Sequence, residues 1–485
     1  MSAHVPGRAD PVVVAILFLA ATASYACFSQ SADSPNVRTH MFLALAMAED
    51  RSLRIDPYRP YTLDRATVDG HTYSEKAPGL ALTAAPVVAA ARAAQFRALP
   101  DAALLGRPPL VTEAFRRLTR RSTLASVGVL GALGVVAAYL AGLRLGAGSG
   151  GAVFGACVLA WATPFWGWST AMLGHVPAAS CLTAGLVLIL VASSRDAARA
   201  APASIAGAFL GWAAVIEFPA AGAAALIAAY GVRCLLRSGD GRSRAIAGLL
   251  LGGALAVVPL LLYNVQAFGT AWRLGYGSTE PWYPAMKSGL FGVHWPRPAA
   301  IGELIAGEKR GLLWFAPAGL AGLLVLPGIV RRAGRWEGAL LVAVPLYYLL
   351  LVSGYAYWDG GWSTGPRHLT AVMPFLCLAL GLAWSAAGPW GRAALATVGM
   401  AGAVISFVAV STSMFAPNDI ARPWSDFLVP AFQARWDSRW TPVWGAYATV
   451  VPWEHGLGRR LGLAVAALVP CLGVAAVAMR LRSAR

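Results

Sequence analysis

The strongest constraint on this chain is a series of charge-free apolar stretches that starts at residue 11 and recurs almost to the C-terminus. They fall at 11–28 and at roughly 122–143, 151–166, 177–193, 203–216, 220–232, 245–265, 311–330, 338–354, 369–388, 393–413 and 461–479. Hydrophobic residues make up 58% of the chain and charged residues only 13%, whereas an ordinary soluble domain carries about 25% charged residues. That composition excludes a set of soluble domains and indicates an all-α polytopic membrane protein, one membrane domain over residues 1–485. Several stretches are shorter than the roughly 20 residues that cross hydrocarbon squarely, and spans of that kind pack inside a bundle or in a thinned bilayer. The first stretch has the length of a cleaved signal peptide, but the many that follow favour an uncleaved signal anchor.

One further apolar run, 78–96, either crosses the membrane or only dips into the outer leaflet, and the orientation of everything after it depends on which. Basic residues concentrate in cytoplasmic loops. If 78–96 does not cross, the later cytoplasmic segments hold 14 basic residues in 47 positions, and the opposite loops hold 11 in 118. If it does cross, the dense set moves outside, and only Arg107, Arg116, Arg117, Arg120 and Arg121 argue for the change. The non-crossing arrangement is preferred. It predicts about twelve transmembrane helices, both termini cytoplasmic, and a long first external loop over 30–121. A reporter near Gly106 that read cytoplasmic would contradict it. Of the 22 acids, 18 then lie on the external side, which places the polar chemistry there.

This placement also explains the formal charge of +17. The excess is nearly all arginine, since Lys76, Lys287 and Lys309 are the only lysines. Much of it is a topology signal, so no nucleic-acid partner is implied and the bilayer is the expected environment. The six cysteines sit in or beside apolar runs without metal-ligand spacing, which supports neither a zinc site nor a disulfide framework.

In the first external loop, 36–50 (NVRTHMFLALAMAED) has apolar residues at 37, 41, 42, 45 and 48, the pattern of a short amphipathic helix lying on the membrane. The segment after it is rich in turn formers and tyrosine and contains Asp64 and Tyr73, candidates for substrate contact, followed by Glu75 and Lys76. Two other external loops, 266–310 and 356–368, are rich in tryptophan and tyrosine. Interfacial aromatic belts explain many such residues. The composite Tyr-Trp-Asp-Gly-Gly-Trp-Ser-Thr-Gly-Pro-Arg-His is harder to dismiss. It makes Trp358, Asp359 and Trp362 candidates for substrate contact, and Arg367 with His368 candidates for gripping phosphate. The loop 414–460 carries five tryptophans that suit either an acceptor-side lid or interfacial anchoring. The spans carry almost no charge, and only Glu217, in Val-Ile-Glu-Phe-Pro at an expected external hairpin, sits among apolar residues. An ion-coupled pump would be expected to keep more such residues at mid-membrane, so transport is disfavoured.

Several of these features together resemble the GT-C glycosyltransferase superfamily. They are an acid after the first span, an Asp before Tyr-Ser-Glu-Lys-Ala-Pro-Gly, an Arg-x-x-Arg-Arg entry to the second span and a Thr-Pro-aromatic step into a short external turn. The nearest branch includes bacterial protein O-mannosyltransferases and the 4-amino-arabinose lipid A transferase, in which a Glu-Lys-Pro-Pro motif matches Glu75-Lys76-Ala77-Pro78. The resemblance covers roughly residues 10–270; residues 271–485 match in topology alone and read as variable C-terminal helices.

The resemblance implies an active site at the external membrane face, a polyprenyl-phosphate sugar as donor and an inverting transfer. By position Asp33 would be the base, with Asn36 or Asp64 as alternative counterparts; equally, Asp33 suits a turn or N-cap before the 36–50 helix. Glu75 would help hold a divalent metal, the one cofactor implied, and Lys76 would lie near donor phosphate. Arg121 matches an entry arginine of the second span, where it can also serve as a headgroup anchor. The family's second external acid is replaced by His175, which can ligate metal, bind phosphate, relay a proton or serve a structural role. The expected activity is therefore transfer of a sugar from a polyprenyl-phosphate carrier to a lipid, glycan or protein acceptor at a bacterial inner membrane. The alternatives are a transporter or flippase for lipid-linked cargo and a non-catalytic assembly subunit with the same fold.

Overall fold

The computed structural model describes residues 9–30, 34–95, 113–193, 196–278, 284–330, 334–436 and 457–483. Each apolar stretch is helical: α1 Pro11–Ala26, α5 Val129–Arg144, α6 Gly148–Trp161, α7 His175–Ala192, α8 Ala200–Ile216, α9 Ala220–Leu236, α10 Arg242–Phe268, α11 Pro317–Val330, α12 Arg335–Gly354, α13 Met373–Ala386, α14 Pro389–Thr412 and α15 Leu457–Ser483. Among the described residues between α1 and α5 lie three further α-helices, α2 Pro35–Leu45, α3 Gly79–Gln95 and α4 Glu113–Thr123, the last running into α5 through a π-helical turn, Leu124–Gly128. Among the described residues seven helices are long and apolar enough to cross a membrane, and six more are shorter apolar helices of 10–17 residues. The chain is a multi-pass membrane protein.

The short helices hold their places by close packing. Helix α8 lies along α10 with small residues at the contact, so that a Cβ at Gly207 would strike the Leu249 carbonyl and one at Gly252 the Ser204 carbonyl. In a bilayer, where lipid is as apolar as leucine, such close backbone approach is what drives association. Helix α3, the ambiguous run of the sequence, packs against α2 and α4. It meets α8 at its own first turn, where the Trp212 indole donates to Thr83 Oγ1 at 3.3 Å.

The expected surface helix at 36–50 differs from its pattern. It is helical over Pro35–Leu45 and π-helical over Ala46–Asp50, but every residue from 39 to 46 is buried. The helix is covered on more than its apolar face because α3 and the rest of the first loop close over it. His40 is thereby taken into the protein. The all-α expectation also gains one small exception, a hairpin of β1 Arg65–Val68 and β2 His71–Ser74. Its turn residues, Asp69 and Gly70, have φ of 50° and 79°, as a two-residue type I′ turn requires.

Because the helices alternate in direction, the bundle has two chemically different ends. At one end Arg144 donates to the Leu190 carbonyl, Arg233 lies 3.6 Å from the Trp336 ring centroid and Arg480 pairs with Asp10 at 2.7 Å. The opposite end carries the hairpin, α2 and the loops rich in aromatic residues.

Candidate functional site

The hairpin register builds the centre of this site. Arg65 pairs with Ser74, so their outer neighbours, Asp64 and Glu75, emerge side by side at the open end of the hairpin. Both turn onto the next residue. Lys76 Nζ lies 2.6 Å from Glu75 Oε1 and 3.3 Å from Asp64 Oδ2, with the Glu75 and Asp64 side chains 2% and 5% exposed and that of Lys76 17%. The hairpin is fixed from two sides: Thr39 of α2 donates to Ser74 Oγ at 3.1 Å, and Tyr263 of α10 donates to the Ser74 carbonyl at 2.8 Å. Gly275 lies against the backbone of Glu75, where a Cβ would clash with its carbonyl. The next residue, Tyr276, holds its ring centroid 5.3 Å from the Lys76 ammonium.

Two carboxylates sharing one ammonium in a buried place cannot both remain ordinary acids. Burial, reinforced by Asp64 and opposed by Lys76, pushes Glu75 up to about 7. Burial also disfavours charge on Lys76, but Asp64 and Glu75 more than offset this and hold it well above the usual lysine range. His40, nearby on α2, is pushed down to about 3 by burial and by Lys76. Burial raises Tyr276 to about 12.

A second group adjoins the first. His175, at the start of α7, places Nδ1 2.7 Å from Oε1 of Glu217, the residue that ends α8. Gly174 makes room for this pair, since a Cβ there would press on the Glu217 side chain. The His175 ring meets His368 edge-on at 5.6 Å and Trp168 at 6.4 Å. Tyr355, at the end of α12, packs on His368 at 5.7 Å, and the Arg367 guanidinium lies 5.9 Å from the Trp168 ring centroid. Four buried polar atoms of these two groups, Glu75 Oε2, His40 Nδ1, His175 Nε2 and Trp168 Nε1, have no hydrogen-bond partner among the described residues. A buried polar group left bare costs about 1–3 kcal/mol, so their grouping suits a polar ligand.

Several sequence candidates thus come together: Asp64, Glu75, Lys76, His175, Arg367 and His368. Asp33 lies outside the described residues. Arg121 is exposed on α4. Tyr73 is buried beneath the site, 6.0 Å from Phe268. Trp358 is half-buried against the apolar core and Trp362 is exposed. Asp359 has both oxygens committed within its own region, Oδ2 to Lys309 at 3.1 Å and Oδ1 to the Gly361 amide at 3.1 Å. For a divalent metal, no group of three or more His, Cys, Asp or Glu among the described residues could act as ligands. Glu75 and His175 keep one donor each, Oε2 and Nε2, and no third His, Cys, Asp or Glu is grouped with them among the described residues.

Glu217 was legible only as an oddity, the lone acid among apolar residues. His40, Tyr276, Tyr355 and Trp168 carried no separate signal, because apolar patterning and aromatic-belt composition account for each of them equally well.

No protein-family model matches the chain, and no curated protein matches it. Among solved structures it is similar to ArnT from Cupriavidus metallidurans bound to undecaprenyl phosphate, with a TM-score of 0.52 and 16% identity, over 96% of this chain and 77% of that one. The apo state of ArnT gives a TM-score of 0.51 at 16% identity, over 96% and 75% of the two chains. At this identity the likeness is one of fold alone: the chain shares the fold of ArnT.

Proposed function

We propose that this chain is an inverting glycosyltransferase that moves a sugar from a polyprenyl-phosphate carrier to an external acceptor at a bacterial inner membrane. The observation that carries the reading is Lys76, a largely buried ammonium held by Asp64 and Glu75 beside polar atoms that have no partner among the described residues. The arginine-rich end of the bundle is read as cytoplasmic, in keeping with the positive-inside rule, and the end with the hairpin as periplasmic, with both termini in the cytoplasm.

As the bond from sugar C1 to the phosphate oxygen breaks, negative charge grows on the departing phosphate. Lys76 and Arg367 supply fixed positive charge for it in a site sheltered from water, where such charge is most effective. Protonation of Glu75 leaves the Asp64–Lys76–Glu75 group neutral, which lowers the repulsion that an arriving phosphate meets. His368, between Tyr355 and His175, lines the same wall. Asp33 is assigned to the acceptor hydroxyl, which it engages through its carboxylate. No step is routed through a metal.

Purified protein incubated with a panel of labelled undecaprenyl-phosphate sugars tests this reading. Release of free carrier with one of the donors is the expected outcome. Movement of intact donor across a vesicle without release would establish a flippase instead, and neither outcome would leave a non-catalytic subunit.

A further inference from the structure

We propose that the His175–Glu217 pair receives the proton of the acceptor hydroxyl, on Nε2 of His175. This rests on the glycosyl-transfer reading above. The pair spans two helices: Glu217 ends α8, and His175 begins α7. With Nδ1 2.7 Å from Oε1, the carboxylate accepts the Nδ1 hydrogen, and that tautomer leaves Nε2 with its lone pair. This nitrogen is buried and has no partner among the described residues. Carboxylate, imidazole and open nitrogen in this order form the arrangement by which an oriented histidine acts as a general base.

The surroundings suit the same role. His368 and Trp168 face the His175 ring, and Arg367 lies over Trp168. His175 and Lys76 are both close enough to His40 to act on it electrostatically, and Glu217 acts on Tyr276 and Tyr348 in the same way. In the step, the acceptor oxygen bonds to sugar C1 while its proton passes to Nε2. The C1–O bond breaks, and its electron pair leaves with the phosphate toward Lys76 and Arg367. The imidazolium is balanced by Glu217 and returns its proton to water after the products leave. Glu217 is a positioning residue: it holds the ring and its tautomer.

Chemical rescue tests this directly in the purified full-length protein, by carrier release from the active labelled donor. H175A is expected to lower release by about 10²- to 10⁴-fold. Added imidazole should restore it, and the rescued rate should rise with basicity across a series of substituted imidazoles. H175N, closer in size, should be equally impaired, which separates lost chemistry from a packing defect. E217Q should lower release at least tenfold without rescue by imidazole, and E217D should recover part of it. Full activity in H175N, or rescue that is flat with basicity, would overturn the proposal. If wild-type protein releases no carrier from any donor, the glycosyl-transfer reading fails and the dyad falls with it.

Discussion

Two cations at the same end of the molecule, one fully and one largely buried, are treated in opposite ways. Arg310 is fully buried, and each of its three nitrogens donates: to the carbonyls of Asp359, Lys309 and Gly361 at 2.7, 2.8 and 2.7 Å, and to Asn418 Oδ1 at 3.4 Å. It fastens the 356–368 loop to the segment before α11. Lys76 is held instead by two acids, one of which keeps a buried oxygen without a partner among the described residues, and neighbouring His40, His175 and Trp168 each have a buried atom in the same state. A cation whose surroundings are saturated is a fastening. One whose surroundings retain unmet hydrogen-bond capacity is a place for a ligand.

The largest effects should separate these two roles. K76M is expected to reduce carrier release at least about 10²-fold, the size seen when a charge-stabilising group is removed from a transition state. Its thermal unfolding in detergent should change less than that of R310A. Release at the wild-type rate would remove Lys76 from the chemistry. R310A should lose about 3–5 kcal/mol, because buried acceptors are left bare. It should unfold at a clearly lower temperature while its remaining folded fraction still binds undecaprenyl phosphate. Loss of binding at unchanged stability would reverse the two assignments.

A smaller effect should come from Glu75. Because its carboxyl titrates at about 7, it is mostly neutral below that pH and charged above it, where its charge repels phosphate. E75Q fixes the neutral form. The ratio of E75Q to wild-type affinity for undecaprenyl phosphate should therefore rise with pH from about 6 to about 8, by roughly tenfold per unit of pH at most, whatever the lipid phosphate itself does. A constant ratio would mean that Glu75 does not face the ligand. The smallest effect is expected from a chelator: EDTA should leave carrier release unchanged, and loss of release restored by a divalent ion would show that a metal enters the site after all.

Much of the fold could be read from residues that repeat. Charge-free runs gave the helices, and arginine spacing distinguished the two ends of the bundle. Lys76 was legible because it is a lone lysine in an arginine-using region, beside an acid. What could not be read depends on contacts between distant segments. The pattern at 36–50 shows one apolar face, but burial on the other faces comes from α3 and the rest of the first loop, and that is what delivers His40. Glu217 and His175 lie on separate helices, so nothing in either local sequence announces their pairing. Asp359 looked like a ligand contact through the company of tryptophan and glycine, while its partners Lys309 and Arg310 sit in another loop.

The most direct test of the Lys76 site is the retention of undecaprenyl phosphate by the purified protein under native mass spectrometry. Wild-type protein and R310K should each hold one equivalent, and K76M should hold none at the same lipid concentration. Equal retention by K76M and wild type would contradict the account.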